Sequence, residues 1–328
     1  PVDRVPDSPS LSVDVLGMKF GNPIGLAAGC DKQGEAINGF LSMGFGFVEI
    51  GSVAPQPQPG SARPRVFRLE QDQGVINRVG YTSIGADAVA DSVKELRSGS
   101  KPKGMLGINL GKNRTGDFQA DLVEGVRKLG PLADYITLNL SQLNTTPPLR
   151  GLLKKAPLQN ILSTVKQQRD ASCPNVPLLV KLSPDHDDTQ LADICQAVTA
   201  AKIDGIILAS PAAWRPTPPL SDPNAKEFGG LTGAPVKELT TQLIAKTFLL
   251  TAGALPIIGA GGVASGQDAY DKIRAGASLV QLYSRLAYEG PFIVRTIKKD
   301  LEALAKADGY ASIQEAVGAD VKHKLPKR

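Results

Sequence analysis

The stretch TLNLSQLNTTPP, from Thr137 to Pro148, crowds Asn139, Ser141, Gln142, Asn144 and Thr145 where an apolar run opens into a loop. Side chains of these types donate and accept hydrogen bonds, but none readily takes a proton near neutral pH. The segment can therefore grip a polar ring and needs help with acid–base work. Only two histidines exist, His186 and His323, and neither sits beside a nucleophile, so a histidine-centred triad is not expected. Cys30, Cys173 and Cys195 lack CxxC spacing and leave an odd thiol, which points to a reducing compartment and away from a disulfide framework or a metal site. Lysines are better placed: Lys181 ends the apolar run PLLVKLSP, and Lys32 follows PIGLAAG within AAGCDKQGEA. An isolated ammonium is costly to bury, so Lys181 must snorkel out, meet a strand-end acid, touch an electron-rich ligand or serve as a Schiff-base amine.

A second kind of chemistry is written in GAGGVASGQDAYDKI, where Gly261 and Gly262 separate an apolar run from a helix expected to start at Ser265. Strand, glycine turn and bare helix N-terminus together make a phosphate cradle. Tight turns need glycine as well, so the pair alone is weak. Its place after the seventh apolar run strengthens it, because barrels bind phosphate between their last two strands.

These residues need a frame, and the frame is repetitive. Apolar runs occur at 23–29, 47–53, 104–111, 134–141, 177–184, 204–211, 256–262 and 279–284. Continuous apolar strands of this length are buried on both faces, as in parallel sheets. Segments with a helical apolar stripe separate them, including 86–98, 157–170, 189–201, 235–251 and 290–307. Eight such units predict an α/β fold, a (β/α)8 TIM barrel, with the opening SLSVDVLGMKFGN as an N-terminal hairpin capping the barrel floor. No domain boundary interrupts residues 1–328, and the Pro- and Gly-rich 212–235 reads as a long loop over the active face.

Bulk properties agree with one large domain: 328 residues, 42% apolar and 21% charged. The net charge of +5 is spread over helices and the tail VKHKLPKR, so it describes a solvated surface and not a nucleic-acid groove. No apolar run reaches the roughly 18 residues of a membrane span. Lys32, Lys181, Asn109, Asn139 and the glycine turns are expected to face one cavity at the strand ends. Neutral amides around a flat polar ring, beside a phosphate cradle, suit flavin mononucleotide (FMN) better than an aldolase substrate.

Longer motifs narrow this. GLAAGCDKQGEAINGFLSMGFGFVEIGSV, ARPRVFRLE, VINRVGY, INLGKN, GPLADYITLNLS, GGLTGAP and GAGGVASGQDAYDKIRAGASLVQLYSRL resemble the quinone-dependent, membrane-associated class of dihydroorotate dehydrogenases over nearly the whole chain. The resemblance implies an FMN-bearing barrel that oxidises dihydroorotate and passes the electrons to a quinone. Carried over, it implies that Ala28, Gly29, Lys32, Ser52, Asn109, Asn139, Lys181, Gly233, Gly261, Gly262, Tyr283 and Ser284 hold FMN. It also places Arg68 on the family's quinone tunnel and Cys30 on the tunnel side, where packing is its expected role. The family's two N-terminal helices have no counterpart in this chain. An intact protein carrying them would sit at the mitochondrial inner membrane, and one without them in the cytoplasm.

The substrate side departs from the pattern. The family loop reads N-V-S-S-P-N-T, and its second serine is the base; here the loop is NLSQLNT and that position is Gln142. Loss of general-base catalysis costs about 10²- to 10⁴-fold. The family's N-R-x-G-F-N becomes NRVGYT, putting Tyr81 and Thr82 after Gly80, and T-N-T-T becomes ASPA, putting Ser210 and Pro211 in place of an Asn and a Thr. Asn77 and Asn144 remain. These changes predict a repurposed oxidoreductase whose pocket, with Leu143, Ala209 and Pro211, suits a less polar substrate. Tyr81 is the preferred replacement proton donor or acceptor, beside the relay threonine Thr145, with Lys32 second. The alternatives are a dihydroorotate dehydrogenase with a non-serine base, a lyase using Lys181, and a non-catalytic flavin-binding protein.

Overall fold

Each of the eight apolar runs forms a parallel strand, because its side chains are buried whichever way they point. The computed structural model describes residues 6–99, 103–141, 147–208 and 211–325. After a hairpin of β1 (Val13–Val15) and β2 (Met18–Phe20) come the barrel strands β3 (Ile24–Leu26) and β4 (Phe47–Val53). Two further strands, β5 (Val66–Leu69) and β6 (Gly74–Asn77), leave the barrel. The barrel resumes with β7 (Met105–Leu110), β8 (Tyr135–Asn139), β9 (Leu178–Leu182) and β10 (Gly205–Leu208). It closes with β12 (Ile257–Ala260) and β13 (Leu279–Leu282), in the order β10-β12-β13-β3-β4-β7-β8-β9. The barrel and its floor hairpin are as the sequence predicts: Leu16, in the hairpin turn, packs at the start of β10 against Gly205.

The described helices are α1 (Ile37–Ser42), α2 (Ala86–Ser98), α3 (Phe118–Leu129), α4 (Lys155–Ser172), α5 (Asp188–Ala200), α6 (Lys237–Leu250), α7 (Gly266–Arg274), α8 (Ser284–Glu289) and α9 (Ile293–Ala307). Their starts are written locally. Asp117, Asp187 and Ser265 cap α3, α5 and α7 by accepting from Ala120, Gln190 and Asp268 amides, each cap contributing about 1 kcal/mol. The stripe Ile293, Val294, Ile297, Leu301 and Ala305 turns α9 inward. Its helix begins three residues later than the periodicity suggests, after Pro291.

The barrel floor is filled by aromatic rings. Phe47 meets Phe20 and Tyr135 edge to face, with centroids 5.4 and 6.4 Å apart, pairs that add about 0.5–1.5 kcal/mol beyond burial. A Cβ on Gly107 would lie 2.1 Å from the Tyr135 ring, so the glycine gives that ring its place.

The segment 212–235 differs from the loop expected of it. It contains β11 (Gly230–Gly233), which pairs antiparallel with β6, and β6 with β5, giving a three-stranded sheet beside the barrel mouth. Among the described residues no helix is long and apolar enough to cross a membrane.

Candidate functional site

Parallel register decides which side chains share a height. Asn139 on β8 stands beside Lys181 on β9, Asn109 on β7 beside Thr137, and Gln281 on β13 beside Ala260. The strand ends open into a cavity of about 510 Å3. Ala28, Gly29, Lys32, Ser52, Asn139, Lys181, Gly233, Gly261, Gly262, Tyr283 and Ser284 line it, and so do Asn77, Gly80, Tyr81, Thr82 and Pro211. One expectation is corrected. Asn109 does not line the cavity but lies one layer below, fully buried, where its Oδ1 accepts from Ser52 Oγ and from Asn139 Nδ2 at 3.2 Å. Gln142, Leu143, Asn144, Thr145, Ala209 and Ser210 lie outside the described residues.

At one end stands the glycine turn. Gly262 has φ +74°, and a Cβ there would lie 2.5 Å from Lys237 Cα, so only a glycine lets the backbone pass. Ser265 caps α7 just beyond it, and Ser284 Oγ, 2.9 Å from Thr232 Oγ1, supplies a hydroxyl from the next strand end. At the floor, Ser52, Asn139, Lys181 and Gln281 face the space. Lys181 is 3.7 Å from the buried Glu49 carboxylate, so the acid that its burial requires lies inside β4 and not at a strand end.

Along the side, Lys32 Nζ donates to Gly29 O at 2.6 Å, and burial, with Arg65 adding to it, lowers its pKa. Burial pushes the Tyr81 phenol far above the ordinary tyrosine range. A phenol held neutral is better suited to donate a proton or hydrogen bond than to accept a proton. Thr82 Oγ1 donates to Pro59 O at 3.1 Å, and the Pro211 ring packs against Gly230, whose absent Cβ would lie 2.5 Å away. Cys30 is raised to about 11 by burial and is inert as a nucleophile. Arg68 lies off the cavity, 5.7 Å over the Tyr288 ring.

The cavity is less apolar than the substitutions suggest. Lys32, Arg78, Arg150, Lys181 and Arg285 line it, and no Asp or Glu does among the described residues. Among the described residues three buried polar atoms of the wall have no hydrogen-bond partner: Gln281 Oε1, Ser141 Oγ and Arg285 Nε. Orphaned polar atoms beside a phosphate cradle and a cationic wall fit FMN and an anionic ring, since each atom unsatisfied in a buried site costs about 1–3 kcal/mol. The sequence reading passed over Glu49 and Gln281. A lone acid in FVEIGSV and a lone amide in LVQLYS, each inside a strand buried throughout, were the available signals.

Comparison with known proteins agrees with this geometry. The family model described as "Dihydroorotate dehydrogenase" matches residues 10–304. The chain is 48% identical over 328 residues to the "Dihydroorotate dehydrogenase (quinone)" of Rhodospirillum rubrum, covering 99% of this chain and 87% of that protein. It is 50% identical over 324 residues to the "Dihydroorotate dehydrogenase (quinone), mitochondrial" of Mus musculus, covering 96% and 81%. Among solved structures, the Eimeria tenella DHODH in complex with ferulenol superposes with a TM-score of 0.91 at 36% identity, covering 98% of this chain and 91% of that one.

Proposed function

Because the chain belongs to the dihydroorotate dehydrogenase family and is an FMN-dependent oxidoreductase acting on CH–CH groups, we propose that it oxidises dihydroorotate to orotate, delivers the electrons to a quinone and moves the ring proton without the family's serine. The observation that carries this is the cavity wall, which has five cationic side chains and no carboxylate among its described residues. Arg78, Lys181 and Arg285 are themselves paired with Glu227, Glu49 and Glu289, so the wall is polar and rich in donors without a free excess of cations. It suits a polar ring that bears a carboxylate, and it speaks against the less polar substrate expected from Pro211 and its neighbours. Relatives at 48% and 50% identity carry the name of that activity.

Residues 1–328 act in this reading as one FMN-binding unit. The smaller apolar cluster of Leu69, Ile76, Ala212, Leu231 and Val236 is too slight for a core of its own. Gly233, Gly261, Gly262, Tyr283 and Ser284 would hold the phosphate end of FMN, and Ala28, Gly29 and Lys181 its ring, which would rest on the hydrogen-bonded pair Ser52 and Asn139. FMN supplies hydride acceptance; the chain supplies orientation, exclusion of water and proton transfer. Lys32 is the proposed proton acceptor, because burial destabilises its ammonium. Tyr81, kept neutral, is the donor that orients the ring. The ion pair of Lys181 with Glu49 weakens the Schiff-base alternative.

A second reading, a carboxylated ring other than dihydroorotate, is favoured by Thr82, turned to Pro59 O, and by Pro211, which offers no hydrogen. Anaerobic mixing of the FMN-loaded protein with dihydroorotate separates the two. Rapid bleaching of the yellow flavin band, with recovery on adding a quinone, supports the first. A band that stays oxidised removes it.

A further inference from the structure

The pocket floor rests on a carboxylate with no access to solvent. Glu49 Oε1 accepts from Asn109 Nδ2 at 2.9 Å and stands 3.7 Å from Lys181 Nζ. Its Oε2 accepts from Gln281 Nε2 at 2.9 Å, Tyr135 OH at 3.1 Å and Thr137 Oγ1 at 3.2 Å. All of these groups are buried, and every hydrogen bond points toward the acid.

That convergence fixes the sense of each amide. A carboxylate can only accept, so Asn109 and Gln281 must each turn an N–H toward Glu49 and their carbonyl oxygens away from it. Asn109 Oδ1 then receives Ser52 Oγ and Asn139 Nδ2, while Asn139 Nδ2 also reaches Ser52 Oγ at 2.9 Å and Asn139 Oδ1 accepts the Ser141 amide at 3.1 Å. Both N–H groups of Asn139 and the hydroxyl hydrogen of Ser52 are thereby committed. Among the described residues two groups of the floor stay open: Gln281 Oε1, buried with no hydrogen-bond partner, and the Lys181 ammonium, held by its ion pair with Glu49. A fixed acceptor and a fixed cation on one floor match the alternating carbonyl and N–H edge of a flavin ring.

We propose that Gln281 is a further cofactor-binding residue, accepting the imide N–H of the flavin through Oε1, and that Glu49 is the positioning residue that turns the amide to do so. The inference rests on FMN binding alone and stands apart from the choice of dihydroorotate as substrate. Apo-protein is titrated by fluorescence quenching with FMN and with FMN methylated at the imide nitrogen. Wild type is expected to prefer FMN by at least about tenfold, one hydrogen bond with a buried partner left unpaired otherwise. Gln281→Met, of similar length, should bind FMN about tenfold more weakly and lose most of that preference. Steric exclusion of the methyl group would instead leave the preference intact in Gln281→Met, and that result overturns the proposal, as does a wild type that binds both alike. Glu49→Gln frees the Gln281 amide to flip and should lose the preference too, with Glu49→Asp restoring part of it; a Glu49→Gln protein that discriminates as wild type does removes Glu49 from the role. If Glu49→Gln does not fold, the comparison of Glu49→Asp with wild type reads the same question.

Discussion

Lys32 and Tyr81, the two candidates for the proton work, are shifted in opposite directions. Burial lowers the lysine's pKa and raises the tyrosine's, so the first is the easier to find deprotonated and the second stays a donor. The sign of the pH dependence follows: if neutral Lys32 takes the ring proton, the rate constant for flavin reduction rises with pH and levels off once the amine has lost its proton. Lys32→Met should lower that constant by about 10²- to 10⁴-fold and abolish the rise. Tyr81→Phe should lower it less and keep the profile. Stopped-flow reduction across pH checks both, and a Tyr81→Phe variant slower than Lys32→Met would reverse the assignment.

At the scale of elements, the turn between β12 and α7 carries a prediction of its own. Gly262→Ala would put a Cβ against Lys237 at φ +74°, a strained conformation worth about 1–3 kcal/mol. FMN affinity should fall by at least about tenfold, read by fluorescence titration of the apo-protein. This turn was legible in the sequence because its signal is local: glycines, then a serine cap. The eight barrel strands were legible for the same reason, since a run such as FVEIGSV is buried at all seven positions. β5, β6 and β11 were not. Each is four residues long, and β11 pairs with β6 across some 150 positions, Gly230 opposite Asn77, so neither length nor periodicity marks them. Asn109 misled for a different reason: it sits at a strand end, as Asn139 does, but in a lower layer of the barrel, and composition does not report height.

For the whole molecule, the buried ammonium of Lys272 makes stability depend on pH. Its Nζ donates to Thr240 Oγ1 at 2.8 Å and Thr241 Oγ1 at 2.9 Å, with Lys237 O at 3.4 Å, and no carboxylate is in ion-pair reach among the described residues. Burial brings its pKa down to about 7, only partly offset by Asp268, Glu238 and Asp271, while Lys237 adds to the lowering. A depressed lysine means that, between pH 7 and its unfolded pKa, the unfolded chain binds a proton that the folded chain does not. Stability therefore rises with pH through that window. Above pH 9 the thiols of Cys30 and Cys195, both raised to about 11 by burial, pull the other way, because the folded chain then holds the extra protons. The clean interval is pH 7 to 9, where Lys272 contributes a gain of about 2 kcal/mol at 1.36 kcal/mol per proton and pH unit. Lys272→Met removes the titrating group and keeps most of the volume. Lys32, whose pKa is lowered as well, is present in both proteins and cancels in the difference. Denaturant melts at pH 7 and 9 should show wild type gaining stability and Lys272→Met gaining about 2 kcal/mol less; equal gains in the two proteins would mean that the ammonium finds water or an acid in solution, and that the helix pair α6 and α7 is looser there than its contacts require.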